Sequence, residues 1–208
     1  MCNSVSQYFS IHPTDPQSRL LARAAEIVSR GGLVVYPTDT TYALGCQIGD
    51  KSALDRIRHI RRLDKHHHLT VACRDLSEIA TYARVSDQNF RILKQFTPGP
   101  FTFLLPATRE VPRRLVHPRK KTIGLRIPDQ PIALGLLEML SFPMTTTTMQ
   151  LPGDLVPMAD PEDIRERLEH AVDLIIDGGH GGIVPTTVVD LTGDQPQVVR
   201  PGAGEFPL

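Results

Sequence analysis

A chain of 208 residues, 40% apolar and 22% charged, can bury a full core within one ordinary domain and needs no disulfide or structural metal to fold. Cys2, Cys46 and Cys73 are dispersed without C-x-x-C spacing, no apolar run approaches the ~20 residues of a membrane span, and no basic-then-apolar leader opens the chain. The net charge is zero, yet residues 56–126 carry sixteen Lys/Arg against five Asp/Glu while residues 127–208 carry three against thirteen.

The expectation is a cytoplasmic protein with no membrane partner and, lacking Trp, a core of Leu, Ile and Val. A strand is predicted over residues 8–12. Asp15 then reads as a helix cap with Pro16 at the first helical position, and Leu20, Leu21, Ala24 and Ile27 recur at helical spacing until Gly31-Gly32. Residues 33–36 form a β-branched run that Pro37 ends, followed by a Thr-rich loop over 37–45 and a helix over 51–62. Beyond it the pattern predicts a strand at 69–73, helices at 76–84 and 86–95, and strands at 101–105 and 122–127. A helix at 131–140, a strand at 144–147 and a helix from the Asp160-Pro161 cap to His170 follow. Short strands at 174–176, 187–191 and 197–199 close the chain. Strands and helices mixed without strict alternation define an α/β fold, a twisted mixed β-sheet with flanking helices.

Several segments could carry chemistry. The hydroxyl-rich loop 37–45 follows a buried strand, at the sheet edge where open α/β sheets bind ligands; a plain helix-capping turn is the alternative. Arg58, Arg61 and Arg62 fall at helical i, i+3 and i+4, a cationic face suited to phosphates or simply solvated. His66-His67-His68 are consecutive, and consecutive side chains rarely converge on one ion, so no metal site is assigned. Residues 109–121 form a cationic loop without interleaved aromatics. Arg113, Arg114, Arg119, Lys120 and Lys121 there could contact an RNA backbone in a salt-sensitive way, or stay free.

Arg126 is embedded in an apolar strand, must be paired, and could grip a carboxylate. Thr145–Thr148 lead into Gln150 and a Pro-Gly turn, either a ligand wall or a solvent-facing strand. The glycines of 178–182 permit close approach to a ligand, and Arg200 ends the last strand, where it meets a phosphate or sits on the surface. No catalytic triad, zinc-hydrolase motif or carboxylate pair is present. Thr and Arg without a base suit a reaction whose nucleophile comes from the substrate, with the protein positioning it and neutralising charge.

Taken in order, these segments resemble the YrdC/YciO family. Val34-Val35-Tyr36-Pro37-Thr38-Asp39-Thr40-Thr41-Tyr42-Ala43-Leu44-Gly45 is similar to its first motif, Y-P-T-(D/E)-T-x-Y-G-L-G. Thr122–Pro128, Asp177-Gly178-Gly179, Thr186–Leu191 and Arg200-Pro201-Gly202 match further on, so the likeness covers residues 17–204, with residues 1–16 a lead-in strand of the same domain. The start Tyr8-Phe9-Ser10-Ile11-His12-Pro13 and Arg74-Asp75-Leu76 look closest to the YciO branch.

The resemblance implies a positively charged concave cleft and a nucleotidyltransferase reaction. ATP, L-threonine and bicarbonate would give threonylcarbamoyl-AMP for tRNA adenosine modification, with Mg2+ shielding the phosphates. By motif, Thr40, Arg126 and Thr186 would hold the amino acid, and Arg61, Thr148, Gln150 and Arg200 the nucleotide. The K-x-R-P-x-x-x-P-L motif of the family aligns with Arg61–Leu69, where Leu63 replaces the arginine and both prolines are lost. The family's S-A-N becomes Thr148-Met149-Gln150. A factor that binds tRNA or double-stranded RNA, or matures RNA, through the basic groove without adenylate chemistry is the alternative expectation.

Overall fold

Among the described residues, five of the six helices open on a side chain that accepts an N–H of the first turn: Asp50, Asp75, Ser86, Gln130 and Asp160. The computed structural model describes residues 5–64, 67 and 69–207. Its elements are β1 (Gln7–Ser10), α1 (Ser18–Ser29), β2 (Val34–Pro37), β3 (Tyr42–Gln47), α2 (Lys51–Arg61), β4 (Thr70–Ala72), α3 (Leu76–Tyr82) and α4 (Asp87–Phe96). They continue as β5 (Phe101–Pro106), β6 (Thr122–Arg126), α5 (Pro131–Met139), β7 (Met144–Thr148), α6 (Pro161–Leu168), β8 (Leu174–Asp177), β9 (Thr187–Asp190) and β10 (Gln197–Arg200).

The first helix is the exception among the caps. Asp15 does not start it; the backbone N–H of Asp15 donates to His12 Nδ1 at 3.1 Å. The helix begins at Ser18 after Gln17, whose Oε1 accepts from the His12 N–H at 3.2 Å and is thereby drawn back toward the first strand. The expected glycine stop holds. Gly31 turns at φ +85°, its N–H reaches the Val28 carbonyl, and the Gly32 N–H reaches that of Ile27.

The ten strands form one mixed sheet in the order β1-β8-β2-β3-β7-β4-β6-β5-β9-β10. The segment expected to be a loop to residue 45 departs from expectation. Its second half is β3, hairpinned onto β2 with Pro37 opposite Tyr42 and Val34 opposite Gly45. Residues 42–46 are all buried, so they carry no alternation, and the run resembles loop sequence only because threonines lead into it.

Two layers of side chains flank the sheet. On one face α1 and α5 pack through Leu21, Ala24, Val28, Ile132 and Leu136 against Val34, Tyr36, Leu174 and Ile176. On the other, α2, α3, α4 and α6 cover Val35, Leu44, Val71, Leu125 and Ile175. The first layer is incomplete: α1 and α5 lie over the β8-β2-β3 half and leave the β4-β6-β5-β9 half uncovered. That uncovered half carries the site. Among the described residues no helix is long and apolar enough to cross a membrane.

Candidate functional site

A cavity of about 560 Å³ lies on this uncovered half. Strand alternation builds its floor. Thr70 on β4 sits opposite both Thr146 on β7 and Gly124 on β6; Gly124 faces Leu104 on β5; Thr102 on β5 faces Val188 on β9; and Thr148 faces Ala43 on β3. Because side chains two apart share a face, Arg126 rises from the same side as Gly124, and Thr186 from the same side as Val188. All of these line the cavity. The site therefore lies across a sheet face and not, as the 37–45 loop suggested, at the C-terminal edge of a strand. A side chain at Gly124 would project between Thr102, Leu104 and Thr70, at 3.3–3.5 Å from each, so glycine keeps the centre of the floor open.

The walls are hydroxyls and guanidiniums. Thr102 Oγ1 and Thr186 Oγ1 lie 2.9 Å apart. Arg200 Nη2 donates to the Thr186 carbonyl at 2.8 Å and to its Oγ1 at 3.2 Å, so the end of β10 is tied to the start of β9. Arg61 reaches in from the last turn of α2, and His67 lies beside it. Partial burial lowers the pKa of both Arg61 and Arg200, but a guanidinium stays charged regardless. Enclosure, and after it the charge of Arg61, lowers the pKa of His67, with Asp64 acting the other way and Arg200 and Arg58 adding to the depression. The side chain of His67 itself remains open to water.

Arg126 is paired inside the protein. Its Nη2 donates to Asp39 Oδ1 in the β2–β3 turn, and each side chain is only 9% exposed. Asp39 Oδ2 and Arg126 Nε are buried without a hydrogen-bond partner, so the contact is single and leaves a spare acceptor and a spare donor. Beside the pair, the buried Tyr36 hydroxyl donates to Thr146 Oγ1 at 3.1 Å.

A rim closes one side. Gln150 Nε2 donates to the Asp154 carbonyl at 2.9 Å, while the Asp154 carboxylate accepts from the Leu151 N–H and, at 3.0 and 3.2 Å, from Arg167. This holds a turn that presents Leu155, almost fully exposed, and Val156, facing Ile183 across the mouth.

Of the residues singled out for the site, Arg61, Arg126, Thr148, Gln150, Thr186 and Arg200 all line this cavity. Thr40 does not. It is buried in the hairpin turn against Thr38 Oγ1 at 3.2 Å, and its neighbour Thr41 lines the wall instead. The expected cationic face of α2 is also split. Arg62 adopts φ +47°, which ends the helix and lets the Leu63 N–H close on the Arg58 carbonyl, while Arg58 Nη2 reaches the Arg114 carbonyl. Leu63 packs on the core.

Of the glycines of 178–182, Gly178, Gly181 and Gly182 serve close packing within the protein, while Gly179 turns at φ +88° in open space. A Cβ at Gly182 would fall 2.1 Å from the Thr40 carbonyl oxygen, and Gly181 abuts the Tyr42 ring. Of the histidine run, His66 and His68 lie outside the described residues. Arg113, Arg114, Arg119, Lys120 and Lys121 are exposed on a loop pinned by buried Val111 and Leu115, away from the cavity wall. Ion pairs link basic and acidic segments, Lys120 to Asp190 at 3.8 Å and Arg56 to Asp173 at 2.8 Å, so part of the charge asymmetry is cancelled across the fold.

Sequence reasoning passed over Thr70 and Thr102, and placed Asp39 in the candidate loop 37–45 without a partner. A lone hydroxyl in an apolar strand, as at Thr102, was a usable signal. The partner of Arg126 lies 87 positions away and was not legible.

A ten-stranded mixed sheet with a Thr- and Arg-lined cavity on one face defines the class. A family model for Sua5, YciO and YrdC, described as telomere recombination, matches residues 26–202, and the chain belongs to that family. It is 55% identical over 201 residues to the YciO protein of Escherichia coli (strain K12), spanning 97% of this chain and 98% of that one. The crystal structure of E. coli YciO superposes with a TM-score of 0.92 over 96% of this chain and 97% of that chain. The threonylcarbamoyl-AMP synthase of Pyrococcus abyssi is 31% identical over 181 residues, 86% of this chain but 53% of that protein. P. abyssi Sua5 complexed with L-threonine matches with a TM-score of 0.87 at 28% identity, over 95% of this chain and 58% of that chain. This chain thus spans a little over half the length of the Pyrococcus protein.

Proposed function

We propose that the cavity binds ATP and a small amino acid, L-threonine first among them, and joins them with bicarbonate into an aminoacyl-carbamoyl adenylate with release of pyrophosphate. The observation that carries this reading is the convergence of Arg61, Thr148, Gln150 and Arg200 on one cavity with Arg126 and Thr186, on a fold shared with the relatives above.

In this reading the carbamate formed on the amino nitrogen attacks the α-phosphorus of ATP, and pyrophosphate leaves. The protein need supply no nucleophile. Arg61 and Arg200 neutralise charge on the leaving phosphates, Thr148 and Gln150 position the nucleotide, and Arg126 with Thr186 orients the amino acid. The residues lining the cavity include no carboxylate, and the described residues contain no group of three His, Cys, Asp or Glu that could hold a metal. Mg2+ would therefore enter bound to the phosphates of the nucleotide, as part of the substrate. Leu63 stands where the related motif has an arginine, which removes one phosphate contact and predicts a high KM for ATP. Incubation with ATP, Mg2+, bicarbonate and L-threonine should release pyrophosphate and yield the adenylate by mass spectrometry. No turnover with any small amino acid would refute the reading.

The exposed basic loop supports a second reading, binding of a tRNA or duplex RNA backbone by Arg113, Arg114, Arg119, Lys120 and Lys121. Affinity would then fall steeply with salt, and alanine replacement of the three exposed residues 119–121 would weaken it. Undetectable binding at low salt removes this reading.

A further inference from the structure

We infer that Phe206 is a positioning residue for the cavity: from the opposite face of the sheet it sets the place of Arg200, and so the grip on the nucleotide. The inference rests on the reading above, in which Arg200 meets the phosphates.

The strand ladder alone does not fix Arg200. β10 pairs with β9 only, its register slips between Val198 and Arg200, and Val199 is half exposed. Arg200 Nη2 holds the carbonyl and hydroxyl of Thr186, so its position depends on how the backbone at 185–187 and the segment after β10 are fastened together. Residues 201–206 do that by turning round this backbone. The Ala203 N–H donates to the Pro185 carbonyl at 2.9 Å, and Thr187 Oγ1 donates to the Gly204 carbonyl at 2.6 Å. A Cβ on Gly202 would fall 2.3 Å from the Pro185 carbonyl oxygen, so glycine lets the two backbones touch. One on Gly204 would fall 2.5 Å from the Phe101 ring.

The anchor of this hook is aromatic. Alternation along β5 sends Thr102 and Leu104 into the cavity, and Phe101 and Phe103 into the core on the other face. Phe206 joins that other face. Its ring centroid lies 4.8 Å from that of Phe96 on α4 and 6.2 Å from that of Phe101, which it meets edge-on. Phe206 does not line the cavity, so any influence on a ligand passes through the residues it holds in place. Without the ring, the segment loosens from the 185–187 backbone, and Arg200 keeps its charge but loses its fixed position. A ligand must then order that long side chain itself, which lowers affinity.

The test is calorimetric titration of the full chain with MgATP. Phe206→Ala should weaken binding about tenfold, the effect of ordering one freed arginine, and Phe206→Tyr should bind as the wild type does. Combined with Arg200→Ala, Phe206→Ala should bind no worse than Arg200→Ala alone. Combined with Arg61→Ala, on α2, the two losses should multiply, because Arg61 does not depend on the hook. Gly204→Ala pushes the segment off Phe101 with Phe206 still present, and should show the same loss with the same dependence on Arg200. It is measured in parallel, so that instability of one variant leaves the effect readable in the other. Unchanged affinity in Phe206→Ala and Gly204→Ala, or losses that multiply with that of Arg200→Ala, would overturn the inference while leaving the nucleotide site intact. If the wild type binds no ATP, the nucleotide reading fails and this inference with it.

Discussion

Replacing Arg126 with Met tests the buried pair as a structural element. Met matches the apolar stem of the side chain but leaves the Asp39 carboxylate buried with no hydrogen-bond donor, since Arg126 is its only hydrogen-bond partner among the described residues. Removing one member of a buried pair costs about 3–5 kcal/mol because the remaining charge is uncompensated. At roughly 2–4 °C per kcal/mol for a domain of this size, the melting temperature should drop by about 6–20 °C. Urea unfolding at pH 7 gives the free energy directly, and the double variant Asp39→Leu with Arg126→Met closes the cycle. The double variant should recover most of the loss, because neither charge then needs a partner. A single-variant loss below about 1 kcal/mol, the range of exposed pairs, would refute the view that the two side chains are jointly desolvated.

Arg200→Ala should weaken ATP about ten- to a hundredfold, the loss of one or two charge-assisted hydrogen bonds, with little effect on unfolding because β10 is an exposed edge strand; calorimetry and a thermal melt check both. His67 has a pKa below its ordinary value and is neutral at pH 8; bound phosphates oppose Arg61, Arg200 and Arg58 and raise that pKa, so binding takes up a proton. ATP affinity should accordingly rise as pH falls from 8 to 6, and His67→Gln should flatten the profile. Gly124→Val fills the centre of the floor, and should abolish amino-acid binding while far-UV dichroism stays unchanged and stability falls by about 1–3 kcal/mol from crowding. Leu63→Arg restores a cation near the phosphates and should lower the KM for ATP, at a stability cost of about 1–2 kcal/mol for the apolar contact it gives up.

What could be read from the chain beforehand follows from physics. The cap read at Asp160 is present because its hydrogen bond is local, whereas the one read at Asp15 is not the start of a helix. The β3 strand was misread because burial on both faces erases the alternation by which strands are recognised. The helix start at Gln17 depended on a contact with His12, five residues back. The six cavity-lining residues could be picked out by type and motif, but the sheet face that gathers them depends on a strand order in which β7 sits between β3 and β4. Local sequence carries no such information. Thr41 and not Thr40 lines the cavity, because in a four-residue turn the neighbouring side chains diverge and only geometry shows which one meets it.

The last strand has a weak hold on the rest of the molecule. β10 pairs with β9 alone, and its register slips between Val198 and Arg200. A polyanion gripped by Arg200 on that strand and by Arg61 on α2 would act as a clasp between segments far apart in the chain. The bound form would then protect the C-terminal backbone amides from hydrogen exchange far more than the free form, while leaving the exchange of central strands such as β3 and β6 nearly the same.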